Sequence, residues 1–266
     1  MSYNFKVYEL GNNEIQLCIY PNSIQSLRSN ENEVNENVQK LLVSLKERNQ
    51  SPSVRVSSYS LLSDEEKYKI NFSRSLVRSK DSLYKLALCN HWDYFCTFTF
   101  DNENFRYDYN ICIKRFRKWL NHFKERYCNN LNYIFIVECH KDGAYHLHGL
   151  FQDSDNVLPA YIDHANKDRD YLVKYNFGRS DISKVKDPAK VSNYISKYVT
   201  KELISKAGKH RYFASQGLKH PGVKTYDEKS VDLMEFLKKY YPDYDVKHIY
   251  AGRNETSFLS LKKSPD

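Results

Sequence analysis

The stretch Gly143-Ala144-Tyr145-His146-Leu147-His148-Gly149-Leu150 constrains this chain most. Two histidines one residue apart share a face if the stretch is a strand, because side chains alternate across the pleat. Upstream, Asn132 to His140 (NYIFIVECH) reads as a second strand, and Lys141-Asp142-Gly143 supplies a hairpin turn with glycine where positive φ is wanted. Glu138 then stands across the hairpin from His146 and points the same way. Glu138, His146 and His148 become a carboxylate and two imidazoles on adjacent strands, a donor set suited to a metal ion. An HxH pair by itself equally suits two polar residues on a solvated face, so a second feature must decide.

That feature lies at Asn193 to Lys201 (NYISKYVTK), behind Asp187-Pro188, which reads as an N-cap with proline at the first helical position. On a helix, Tyr194 and Tyr198 lie one above the other, and Lys197 and Lys201 repeat the step. Val191, Ile195 and Val199 form the apolar stripe, with the tyrosines at its edge. Core tyrosines at this spacing are ordinary in an isolated helix. Following a carboxylate and an HxH strand, they become candidate nucleophiles.

The His-Leu-His strand followed by Tyr-x-x-Lys-Tyr-x-x-Lys resembles the HUH endonucleases, and among them the two-tyrosine replication initiators of rolling-circle phages and plasmids. A first strand of their form stands at Phe95-Cys96-Thr97-Phe98-Thr99-Phe100. The order strand, HxH, tyrosine is that of the initiators; in relaxases the nucleophile precedes the histidines and three histidines usually bind the metal. The resemblance implies a ferredoxin/RRM-like core and metal-dependent nicking of single-stranded origin DNA. It implies a 5′-phosphotyrosine link, a free 3′-OH primer, and later rejoining of the ends. Tyr194 and Tyr198 would be the catalytic tyrosines, with Lys197 and Lys201 beside them, and the sequence does not say which tyrosine attacks first. Glu138, His146 and His148 would hold the metal, Mn²⁺ or Mg²⁺ by their mixed nitrogen and oxygen donors. His140 has the strand parity of Glu138 and competes for the third ligand position. Thr97 and Thr99 share a face and read as sheet residues lining the site. A separate host helicase and polymerase are the implied partners.

Charge and composition agree with a polyanionic partner. Forty-one basic against 33 acidic residues leave +8, with 23 tyrosines and 14 phenylalanines available to stack on bases. Arg179, in a short strand at Phe177 to Ser183, and Arg211, Tyr212 and Lys219, in an aromatic-basic segment after the tyrosine helix, are the candidate DNA contacts. No GxxxxGK[ST] phosphate loop is present, so no ATP site is expected. The six cysteines show no metal-binding spacing and no run spans a bilayer, which points to a reducing cytoplasm; the resemblance to phage and plasmid initiators implies that of a bacterial host.

The predicted architecture is α+β: an antiparallel sheet with flanking helices. Residues 1–62 read as an N-terminal elaboration, with a hairpin over 3–20 turning at Gly11-Asn12-Asn13, a polar loop over 21–37, a helix at 38–47 and a strand at 54–61. Residues 63–251 read as the nuclease domain. It opens with a capping box at Ser63 and a helix to about Asn90, then a strand at 94–100 and a helix at 108–127. Strands at 132–139 and 144–151 follow, then the tyrosine helix at 187–203, a helix at 232–240 and a strand at 246–250. Residues 252–266 read as a frayed tail. Three other readings compete: an HUH transposase, which usually carries one tyrosine; a catalytically silent module binding single-stranded nucleic acid; and a hydrolase of small phosphates in which the tyrosines only pack.

Overall fold

The computed structural model describes residues 2–11, 13–25, 63–164, 170–199, 211–229, 232–251 and 257–264. The expected helix at 38–47, the strand at 54–61 and Lys201 lie outside them. In chain order the elements are β1 (Ser2–Glu9), β2 (Glu14–Gln25), α1 (Asp64–Leu88), β3 (Tyr94–Thr99), α2 (Tyr109–Tyr127), β4 (Leu131–Cys139) and β5 (Tyr145–Asp153). A 3-10 turn (Leu158–Tyr161), β6 (Ile162–Asp163), β7 (Tyr171–Leu172), β8 (Ser180–Lys184) and α3 (Pro188–Lys197) follow. Then come β9 (Tyr212–Ala214), β10 (Gly222–Tyr226), α4 (Leu233–Tyr240), β11 (Tyr244–Ala251) and β12 (Ser257–Lys263). They divide into two compact units, Tyr68–His220 and a unit made of Met1–Lys67 with Pro221–Asp266.

The Tyr68–His220 unit is built on a five-stranded sheet of order β8-β3-β5-β4-β9. Every pairing is antiparallel, so β3 and β4 run parallel with β5 inserted between them, and α2 makes the crossover. This is the split βαβ arrangement of ferredoxin-like sheets. Strand alternation sorts the side chains. Cys96, Phe98, Phe135, Val137, Tyr145, Leu147 and Phe151 face one way and pack on Cys112, Phe116, Leu120 and Phe123 of α2. Asp108 caps α2, its carboxylate accepting from the amides of Asn110 and Ile111. Ile134, Ile136 and Leu150 face the other way, toward Leu83, Leu86 and Ala87 of α1 and Ile195 and Val199 at α3. The histidines lie on this second face.

Local signals placed these elements well. Ser63 and Glu66 exchange the two bonds of a capping box at the start of α1. Gly143 turns the β4–β5 hairpin at φ 88°. Gly149 is required for a different reason: a Cβ there would lie 2.2 Å from the Phe135 ring, which crosses over it. The tyrosine helix is shorter than expected. α3 ends at Lys197, and Tyr198 is its C-cap, with its amide donating to the carbonyls of Ile195 and Ser196.

The other unit is a second five-stranded sheet, order β10-β1-β2-β12-β11. Phe5, Val7, Ile15, Leu17, Ile19, Leu259 and Leu261 form its core with Phe236, Leu237 and Tyr241 from α4 and its C-cap. Three expectations change here. β2 continues through Pro21 to Gln25, where a loop was expected. α4 and β11, expected to close the nuclease domain, belong with the sheet of the N-terminal hairpin instead: α4 packs on it and β11 joins it through β12, while β10, a strand the sequence reading did not assign, pairs with β1. The expected tail supplies β12, which lies between β2 and β11 with Leu259 and Leu261 fully buried.

Candidate active site

Two cross-strand rows organise the second face of the ferredoxin-like sheet. Thr99, His146 and Glu138 stand side by side on β3, β5 and β4, and Thr97, His148 and Ile136 form the next row. The expected opposition of Glu138 and His146 is therefore present. Glu138 Oε2 lies 2.7 Å from Nε2 of His148, which is 7% exposed. The other ring nitrogen of His148, Nδ1, is 3.1 Å from the Thr97 hydroxyl. His148 is thus held at both ends. The bond from His148 holds the Glu138 carboxyl below its ordinary range, against the effect of its own burial. Burial, with His140 and His148 close by, depresses His146 below the usual imidazole value. The His146 ring is stacked on the more exposed His140, centroids 4.6 Å apart and planes 27° apart.

The tyrosines come from the far side of the face. Tyr198 lies flat on the His148 imidazole, with ring centroids 3.7 Å and planes 18° apart. Its hydroxyl donates to the Tyr194 hydroxyl at 2.6 Å. Burial first, then that bond, raises the Tyr198 phenol well above its ordinary value. Tyr194 is 46% exposed. Phe95 of β3 packs edge-on to Tyr194 at 5.3 Å, closing an aromatic cluster over the histidine strand. The Lys197 ammonium stands 5.9 Å from the centre of the Tyr194 ring.

Glu138 and His148 suit a shared cation. Two donors about 2.1 Å from one ion and at right angles stand about 3 Å apart, near the separation seen here. Among the described residues no three His, Cys, Asp or Glu side chains already surround one point. His146, turned onto His140, is the donor that stands off. It is directly opposed to Glu138, and opposed residues keep their Cβ atoms about 5 Å apart, so the difference is one of side-chain torsion. The two imidazoles and the carboxylate fit a divalent ion in type and in face.

The candidate DNA contacts separate. Arg179 is exposed at the edge of β3, where its amide and carbonyl both bond the Thr99 hydroxyl. Lys219 is exposed, its backbone tied to the Asn90 side chain at 2.9 Å through both amide and carbonyl. Arg211 is instead committed to α1: its guanidinium donates to the Ser75 carbonyl and to the hydroxyls of Ser75 and Ser79. Tyr212 is half-buried on β9 against the core shared with α1 and α3. Thr97 is the residue whose part the sequence understated. Its parity placed it at the site, but its bond to His148 needs the β3–β5 register, which no spacing discloses.

A histidine pair and a carboxylate thus share one face of a ferredoxin-like sheet with a two-tyrosine helix, the arrangement that the resemblance to the HUH endonucleases implied. Residues 93–203 match the model of the ORF2-type Replication-associated protein family, a rolling-circle replication initiator family of the HUH type. That segment runs from the start of β3 past the end of α3 and contains every residue of the cluster described above. The match supports a role in replication initiation, with DNA as the partner. No curated protein and no solved structure matches the chain. No helix among the described residues is long and apolar enough to cross a membrane.

Proposed function

We propose that this protein nicks single-stranded origin DNA by transesterification onto tyrosine and later rejoins the ends. The observation that carries the reading is the stacking of Tyr198 on His148, which sets the tyrosine pair directly against the histidine strand. In the forward step a tyrosine hydroxyl releases its proton to solvent as its oxygen attacks phosphorus, the bond from phosphorus to the 3′ oxygen breaks, and that oxygen takes up a proton from solvent to become the primer hydroxyl, with no net change in protons. The phosphotyrosine ester stores the bond energy, so rejoining is the reverse attack and needs no nucleotide triphosphate.

Tyr194 attacks first. Tyr194 is open to solvent, and its hydroxyl oxygen accepts a hydrogen bond from Tyr198. Tyr198 is the donor in that pair and is the more buried. It would serve as the second acceptor once Tyr194 carries an ester. Glu138, His146 and His148 would hold a divalent ion, Mn²⁺ or Mg²⁺, which when bound supplies Lewis-acid polarisation of the phosphate. Thr97 keeps His148 in the orientation that presents Nε2 toward Glu138.

Covalent trapping tests the reading. Incubated with Mn²⁺ and a labelled panel of phage and plasmid single strands, the protein should yield a labelled band stable to denaturation. Tyr198→Phe should keep the first adduct, whereas Tyr194→Phe should lose it. A protein that binds the strands without an adduct is a binding module, and one that releases product without an adduct is a hydrolase. Either result sinks the proposal.

A further inference from the structure

α2 covers the side of the ferredoxin-like sheet that faces away from the histidines, and nothing in the proposed reaction uses its outer surface. From Tyr109 to Lys124 this helix holds no Asp or Glu, but it holds Lys114, Arg115, Arg117, Lys118 and Lys124. Burial of Cys112, Phe116, Leu120 and Phe123 on one stripe sends Lys114 and Lys118 to the opposite one, with Arg115 and Arg117 on its flanks. All four are exposed. Lys114 and Lys118 are four apart, while Lys114 and Arg117, like Arg115 and Lys118, are three apart, so each meets a like charge across one helical turn. Elsewhere the chain relieves such charge: Lys85 pairs with Asp81, Lys224 with Glu9 and Lys239 with Glu228. Among the described residues, none of the four basic side chains from Lys114 to Lys118 has an ion pair. The two guanidiniums rest on rings at the flanks instead, Arg115 at 4.5 Å from the centre of Phe105 and Arg117 at 5.3 Å from that of Phe213.

We infer that the outer face of α2 docks double-stranded DNA, with Lys114, Arg115, Arg117 and Lys118 on its phosphates, on the side of the sheet opposite the tyrosines. That the polyanion is DNA rests on the replication role the family match supports; the surface itself is no part of the nicking proposal. Positive charge that the protein leaves unneutralised fits a partner bringing fixed negative charge, and a duplex carries twice the charge per length of one strand. Single strands ask in addition for exposed rings on which unstacked bases can lie. None of the rings of α2 is exposed: Tyr109, Phe116 and Phe123 are buried, and Trp119 and Tyr127 are half-buried. The indole N–H of Trp119 donates to the Lys174 carbonyl, which fixes that ring in the protein. A duplex keeps its own bases stacked, and its major groove, about 12 Å wide, admits a helix about 10–12 Å across. Cations on phosphates position the duplex with little sequence preference.

The test measures binding apart from chemistry. A fluorescent twenty-base-pair duplex of random sequence is titrated without metal into the full chain, across a series of salt concentrations. Each phosphate neutralised on B-DNA contributes about 0.9 to the slope of log K against log salt, so Lys114→Gln/Lys118→Gln should reduce that slope by about 1.8. The control pair Lys238→Gln/Lys247→Gln removes the same charge from exposed positions of the other unit and should leave the slope unchanged. The helix pair should also leave unchanged the slope measured on single-stranded oligothymidylate. An unchanged duplex slope in the helix pair, or a comparable fall in the control pair or on oligothymidylate, overturns the assignment. A duplex that fails to bind at all overturns it too. In covalent trapping on single strands the helix pair should form its adduct as the parent does; loss of the adduct in the helix pair alone places these lysines on the single-strand path and overturns the duplex surface. Absence of an adduct in the parent removes the nicking reading, and the duplex slope still decides this one.

Discussion

Thr97→Val isolates a single bond at the site. Valine keeps the branched shape and the strand preference of threonine, and removes only the hydroxyl that meets His148 Nδ1 at 3.1 Å. Because His148 is 7% exposed, its Nδ1 finds little water in exchange. Leaving such a group unsatisfied costs about 1–3 kcal/mol of stability. At roughly 2–4 °C per kcal/mol for a domain of this size, Tm should fall by about 2–12 °C. On the proposed metal reading, the larger consequence falls on ion binding. Loss of a hydrogen bond that orients a metal-binding histidine typically weakens metal affinity by about 10–100-fold. Free Mn²⁺ followed by electron paramagnetic resonance reads that affinity directly, with no need for activity. Thr97→Ser should recover most of it, since the hydroxyl returns. If Thr97→Val lowers Tm but binds Mn²⁺ as tightly as the parent, the hydroxyl only supports the sheet and the positioning argument is wrong.

Two further outcomes follow from burial and charge. Leu259 is fully buried in β12, so Leu259→Ala should cost about 2–5 kcal/mol in urea denaturation of the full chain; a change below about 0.5 kcal/mol would mean that residues 257–263 do not hold the sheet. In metal-free protein, His146 sits below its usual 6.5 and Glu138 below its usual 4.5. In both cases the unfolded chain binds more protons as acid is added, so stability should decline from about pH 6.5 downward through His146. It should decline again below about pH 4.5 through Glu138. His146→Asn should remove the upper step from the urea midpoint measured against pH; persistence of that step would assign it to another group.

Much of the Tyr68–His220 unit is legible in local pattern because its strands bury alternate residues. Tyr145, Leu147 and Phe151 had to face a core, which left His146 and His148 together on the other side. The turn at Gly143 fixed the hairpin register, and that register set Glu138 opposite His146. Asp108, Asp187 and Asp232 each marked a helix start by capping it. The end of α3 was harder to read. Helix-forming residues continue past Lys197, but Tyr198 turns off the helix and lies on His148, a tertiary contact with no local signature. Arg211 looked like a DNA ligand because a guanidinium in a basic, aromatic segment looks the same whether it meets a phosphate or two serines of a helix far away in sequence.

By itself, then, the sequence determined which side chains share a strand face or a helix stripe, because those periods are properties of the backbone. It also determined the donor types at the site, two imidazoles and a carboxylate beside paired phenols. Only the tertiary structure decided which strands neighbour one another. The N-terminal hairpin joins the last strand of the chain across more than two hundred residues, and Thr97 meets His148 through pairing of β3 with β5. Such pairings arise from the burial of whole faces, and a face belongs to the assembled sheet, not to any one segment of it.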